Sequence, residues 1–284
     1  MENTSNGQNP LAKYFRQPAI YMKLPSGGRF WPEGSLNLPV TGEIPVYAMT
    51  ARDEVTLRTP DALMNGTGVI EVIQSCCPSI IDAWKMPSID VDAIFIAVRI
   101  ASYGYDMPVD TKCPHCGEEN NHSTDLRSVM GSITCPDYNK RVEINGLKVK
   151  IKPQQFFNVN RSNTMNFEEK RLLESIRNTS INDEERIKQV NESMQRLVDL
   201  SISTAVNCTD AIEMPDGTSV SDPAYIKDFY NNADGIIIRT VQKRLNEIVE
   251  EATINAQTVA CGSCTKEYQV PLEFDYANFF VNGS

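Results

Sequence analysis

The sequence predicts an α+β protein, in which a helical domain is joined to a cysteine-bearing β-hairpin module that a long, mainly helical insertion interrupts. Three observations carry that prediction. Cys113-Pro114-His115-Cys116 and Cys261-Gly262-Ser263-Cys264 are two Cys-x-x-Cys turns set in strand-like sequence. Apolar residues recur at helical spacing from Ser88 to Gly104 and again between Asn182 and Ala252. The stretch before Val46 holds Pro10, Pro18, Pro25, Pro32, Pro39 and Pro45 and has no period, so it reads as an extended N-terminal arm. The expected divisions are the arm at 1–45, the helical domain at 46–108, the cysteine module at 109–152 with 257–284, and the insertion at 153–256.

The arm is too apolar to stay in water, since it carries Tyr14, Phe15, Ile20, Tyr21, Met22, Leu24, Phe30 and Trp31. Such a segment either wraps its own domain or docks on another subunit. Its first residues, Met1 to Asn9, are polar and lack the apolar run of a signal peptide.

Thr59-Pro60-Asp61 reads as a helix start, with proline at the first helical position, and Asn65-Gly66 as a break. Val69, Ile70, Val72, Ile73, Cys76 and Cys77 form an apolar patch closed by Pro78, with both cysteines as core residues rather than ligands. Ser88 opens the clearest helix, apolar around most of its circumference through Ile94, Phe95 and Val98, and Gly104 stops it.

From Asp110 to Lys152 β-hairpin sequence is expected, including Thr124 to Met130 after the first cysteine turn. Asn145-Gly146, between Val142 and Ile144 on one side and Leu147, Val149 and Ile151 on the other, marks a tight hairpin. Asn182 or Asp183 caps a long helix whose stripe of Ile187, Val190, Met194, Leu197, Val198 and Ile202 is expected in the core. Leu172, Leu173 and Ile176 repeat the arrangement in the helix before it. Met214-Pro215-Asp216-Gly217 is a turn between short strands, and Asp222-Pro223 opens a short helix. A last long helix follows Asp234, with Ile237, Val241, Leu245, Ile248 and Ala252 on one face. Strands flank the second cysteine turn, the later one over Tyr268 to Phe274, and the chain closes on Tyr276, Phe279 and Phe280.

The chemistry lies in the cysteines. Two thiols one tight turn apart form a zinc knuckle, and two knuckles supply the four ligands of a closed tetrahedral site. Cys113, Cys116, Cys261 and Cys264 are therefore the expected ligands of one structural Zn2+, in a zinc-ribbon-like module. Roughly 140 residues separate the knuckles, against roughly 15 to 20 in a compact ribbon. The insertion is tolerable because loop-closure cost grows only with the logarithm of length. A rival local site would use Cys113, Cys116, His122 and Cys135 and would strand the second knuckle. His115 reads as a solvated turn residue.

Composition narrows the function classes. A net charge of −10, from 27 basic and 37 acidic residues, opposes a phosphate-binding surface, so nucleic acid is not expected as the main partner. No apolar run approaches the roughly 18 residues of a membrane span. Eight cysteines without a secretory leader suggest reduced thiols and synthesis in a cytoplasm. Phosphate loops, dinucleotide fingerprints, nucleophile elbows and paired-histidine zinc motifs are all missing. With only two histidines, no catalytic apparatus and no small-molecule substrate are expected.

The stretch from Ser88 to Gly104, followed closely by Cys113-Pro114-His115-Cys116, resembles the baseplate hub and hub-assembly proteins of T-even-like contractile-tailed phages. Leu24-Pro25-Ser26-Gly27-Gly28 and the late Cys-x-x-Cys are similar to that family too. The resemblance spans most of the chain and is most specific over Asp90 to Cys116. It implies a virion protein of the tail baseplate, made in the host cytoplasm, whose partners are other baseplate hub and wedge proteins. The roles it implies are a built-in structural subunit or an assembly chaperone that departs. A zinc-ribbon nucleic-acid module is the reading left if the resemblance is set aside.

Overall fold

The computed structural model describes residues 9–59, 66–178, 182–252, 254 and 256–270. Pro60, Asp61 and Asn65, and everything expected after Val270, including Tyr276, Phe279 and Phe280, lie outside the described residues. Helices and four small antiparallel sheets make an α+β fold with two main cores and a third, much smaller one.

The first core forms around the stretch from Ser88. Strands β1 (Pro18–Lys23) and β2 (Glu43–Tyr47) pair antiparallel, with Met22 opposite Ile44. Strand alternation turns Met22, Ile44 and Val46 inward, where they are buried with Leu24. Helix α1 (Ala51–Leu57) starts with a capping box, in which Thr50 and Asp53 satisfy each other's backbone N–H. Helix α2 (Thr67–Cys76) buries Val69, Ile70, Val72, Ile73 and Cys76. Helix α3 (Ser88–Tyr103) runs through the centre, with Val91 and every residue from Ala93 to Ile100 buried, and Gly104 ends it at φ +90°. Cys76 and Cys77 are core residues, as expected.

Two polar anchors hold the proline-rich segment to this core. Arg16 donates to the carbonyls of Ala48 and Ser75 at 2.6 and 2.7 Å. The Leu24–Gly28 turn closes on Asp90 in the first turn of α3. Ser26 N–H and Oγ–H and Trp31 Nε1–H all donate to that fully buried carboxylate, at 2.8, 2.6 and 2.8 Å. Gly28 sits at φ +82°, and a Cβ there would come within 2.8 Å of Leu38. Residues 18–47 thus pack on their own chain, while Leu11, Tyr14, Phe15 and Tyr21 stay exposed.

After strands β3 (Asp106–Lys112) and β4 (Glu119–Asp125), the chain departs from expectation. Leu126–Ser132 is helix α4 and not strand. The Asp125 carboxylate accepts the Arg127 N–H at 2.9 Å as an N-cap, and Leu126 and Val129, three apart, enter the first core.

The second core is a four-stranded sheet of β5 (Val142–Ile144), β6 (Leu147–Ile151), β7 (Thr209–Glu213) and β8 (Ser219–Val220), covered by helices. Asn145 and Gly146, at φ +50° and +79°, form the two-residue turn between β5 and β6. Helices α5 (Phe156–Asn178) and α6 (Asp183–Cys208) form a hairpin between β6 and β7. Asn182 caps α6 by accepting the Glu185 N–H at 2.7 Å. Helix α7 (Pro223–Asn232) starts at the Asp222 cap, and α8 (Gly235–Ala252) buries Ile237, Val241 and Ile248.

The expected core stripe of α6 is corrected at three of its positions. Ile187, Met194 and Val198 are 61%, 51% and 51% exposed. There α6 meets α5 through a polar seam, with Arg196 and Ser193 on the Glu169 carboxylate, so the apolar edge is turned outward. Arg196 holds the Glu169 carboxyl below its ordinary pKa. Toward its end α6 enters the second core, with Ala205 and Cys208 buried and Ile202, from the expected stripe, and Val206 packed against it.

Candidate metal centre

The third core joins two hairpins that are remote in sequence. β3 and β4 carry Cys113 and Cys116 at their turn; β9 (Gln257–Ala260) and β10 (Glu267–Val270) carry Cys261 and Cys264 at theirs. The two turns repeat each other bond for bond. Cys113 N–H donates to Glu118 O at 2.9 Å, and Cys261 N–H to Lys266 O at 3.0 Å. Gly117 N–H returns to Cys113 O, and Thr265 N–H to Cys261 O. Each turn then needs a left-handed residue, which is Gly117 at φ +77° in one and Thr265 at φ +58° in the other.

Face to face, the knuckles bring all four sulfurs within 4.8 Å of one another. Across the knuckles, Cys116 Sγ lies 3.6 Å from Cys261 Sγ and Cys113 Sγ 3.8 Å from Cys264 Sγ. Tetrahedral zinc with Zn–S near 2.3 Å sets its sulfurs about 3.8 Å apart, so the arrangement fits such an ion. Cys113 and Cys261 are buried, Cys264 is half-buried and Cys116 is exposed, which leaves the cluster an open side.

The cluster also favours a thiolate. Backbone N–H groups of Cys264 and Ser263, with the Cys116 thiol and the Asn120 amide, hold the Cys261 pKa down to about 6 against its desolvation. The Glu118 N–H favours the Cys116 thiolate, but desolvation and donation to the other three sulfurs push that thiol up to about 12. A metal takes cysteine in its thiolate form, so uptake of an ion by this cluster would release protons.

Among the described residues, the module's own apolar core is small. Its core is Cys113, Cys261, Tyr268 and Val270, with Val109, Val259 and Cys264 at the margin. The Tyr268 hydroxyl lies between the hairpins, 2.6 Å from Thr111 Oγ1 and 3.0 Å from His122 Nε2. His122 is thus engaged with Tyr268, and Cys135 lies at Arg29, 3.5 Å away, so the rival ligand set is not assembled. His115 is an exposed turn residue whose Nε2 lies 3.3 Å from the Glu267 carbonyl oxygen. Sequence reasoning passed over Asn120 and the hydroxyl of Tyr268. Their signal is shared position, for each stands four residues beyond the last cysteine of its knuckle.

A family model described as T4 bacteriophage base plate protein matches residues 19–281. No curated protein matches the chain, and no solved structure does. No described helix is long and apolar enough to cross a membrane.

Proposed function

The chain belongs to the family of T4 bacteriophage base plate proteins, and from that premise we propose that it is a structural subunit of a contractile-tail baseplate, at the hub or its connection to the wedges. Family membership places it in the tail of the virion among other baseplate proteins. The observation that carries the finer reading is the reach of the match, which takes in both knuckles and most of the arm. Zn2+ is the ion proposed for Cys113, Cys116, Cys261 and Cys264. It would satisfy all four thiolates and complete a core too small to stand alone. The ion's role is structural, since four protein ligands fill its tetrahedron. Exposed Leu11, Tyr14, Phe15 and Tyr21 support contact between the arm's start and a neighbouring subunit.

Quantitative mass spectrometry of purified virions tests the assignment. A fixed copy number relative to known tail proteins is the expected result. Absence from particles that cannot form without this chain would make it an assembly chaperone instead. For the arm, Tyr14→Ser with Phe15→Ser should leave the monomer's thermal stability unchanged and lower its incorporation into baseplates.

A further inference from the structure

We infer that Asn120 is a positioning residue of the metal centre, one that braces the second knuckle against the first and aims the Cys261 sulfur into the cluster; this rests on the proposed metal site. Asn120 belongs to the first hairpin, on β4, opposite Thr111. Its side-chain amide spans the junction between the two knuckles. Its Oδ1 accepts the Gly262 N–H at 2.8 Å, inside the second knuckle. Its Nδ2 donates to the Glu118 carbonyl at 3.0 Å, which fixes the amide to its own turn, and lies 3.6 Å from Cys261 Sγ. One planar group therefore reads both knuckles and touches a ligand atom.

The brace has a counterpart. Tyr268 holds the same place in the second hairpin, and it crosses in the opposite direction to Thr111 and His122. Each hairpin thus sends the fourth residue after its knuckle into the other. Only Asn120, however, reaches a sulfur. An N–H aimed at a ligand sulfur withdraws charge from it, and outer-shell hydrogen bonds of this kind tune metal affinity by ~10–100-fold.

Cobalt(II) titration tests the inference on the full-length chain, with zinc competition for affinity and thiolate-to-cobalt charge-transfer absorption as the readout. Asn120→Ala should weaken affinity by ~10–100-fold and shift the charge-transfer band at saturating metal. Asn120→Asp keeps an acceptor for Gly262 N–H and lacks both N–H donors, so it should shift the band as well. Asn121→Ala, on the same strand with its amide on Asp110, is the control and should match the wild type. A merely structural loss would lower affinity without moving the band. Wild-type affinity and an unshifted band in both Asn120 variants would overturn the inference and leave the metal reading intact. A wild-type chain that takes up no cobalt or zinc would overturn both.

Discussion

The first core and the cysteine module solve the same problem with different materials. Around α3 the chain buries apolar groups on all sides, from Met22 in the arm to Phe156 at the start of α5. Cohesion there is spread over many contacts, each replaceable in part. In the module four sulfurs, one tyrosine and a few aliphatic side chains hold two hairpins from distant parts of the sequence. Cohesion in the module is concentrated at the four sulfurs, where the proposed ion would bind. Burial makes a region robust to the loss of a ligand, whereas a four-sulfur centre makes it all-or-none.

The sharpest way to break that contrast is to remove a ligand. Cys261→Ser and Cys113→Ser should each lose the same single zinc, measured by elemental analysis. Hydrogen exchange should rise in β3, β4, β9 and β10, with α3 unchanged. The local loss is on the order of 10 kcal/mol of binding free energy. Zinc retained in Cys261→Ser would refute the pairing of the knuckles.

Phe95→Ala is the converse. It leaves a cavity in the first core and should cost ~3–5 kcal/mol in chemical denaturation, with metal content unchanged.

Asp90→Ala should cost ~1–3 kcal/mol, because Ser26 and Trp31 donors would stay buried without their acceptor. Burial raises the Asp90 pKa against the hydrogen bonds from Ser26 and Trp31 that lower it. The stability tied to its proton is full below the unfolded pKa near 3.9 and is lost as pH rises through the folded value. The wild type's advantage over Asp90→Ala should therefore shrink from acid toward neutral pH, as paired urea titrations would record.

The smallest effect sharpens the likeness between the knuckles. Thr265→Gly gives the second turn the residue that the first uses at the same place, and it should stabilise the metal-loaded module by up to ~1 kcal/mol. A loss of stability would mean that Thr265, whose hydroxyl donates to the Cys264 carbonyl, contributes more than its strained φ costs.

Much of this fold is legible where the cause is local. Apolar residues all around the turns from Ser88 to Gly104 signal a buried helix, and Asn145-Gly146 signals a two-residue hairpin because few other pairs accept two positive φ angles. The knuckles are equally legible, and their convergence follows from ligand number alone. Illegible features depend on what lies opposite. The periodicity of α6 marks one side as apolar without saying whether anything covers it, and Ile187, Met194 and Val198 stay in solvent. Leu126 to Met130 carries apolar residues compatible with strand or helix, and the Asp125 cap with the surface of α3 decides for helix. The closure of Ser26 and Trp31 on Asp90 joins residues about 60 apart through polar atoms, which no periodicity reports.

The convergence of the knuckles also has a mechanical consequence. The chain enters the metal centre at Cys113 and reaches it again at Cys264, with the α5–α6 hairpin and the second core strung between. Once an ion is seated, tension applied between the first core and the chain beyond Cys264 crosses through sulfur and metal. The ion would then be a cross-link that shortens the covalent path between the first core and β10, from the whole length of the insertion to two cysteine side chains and one metal.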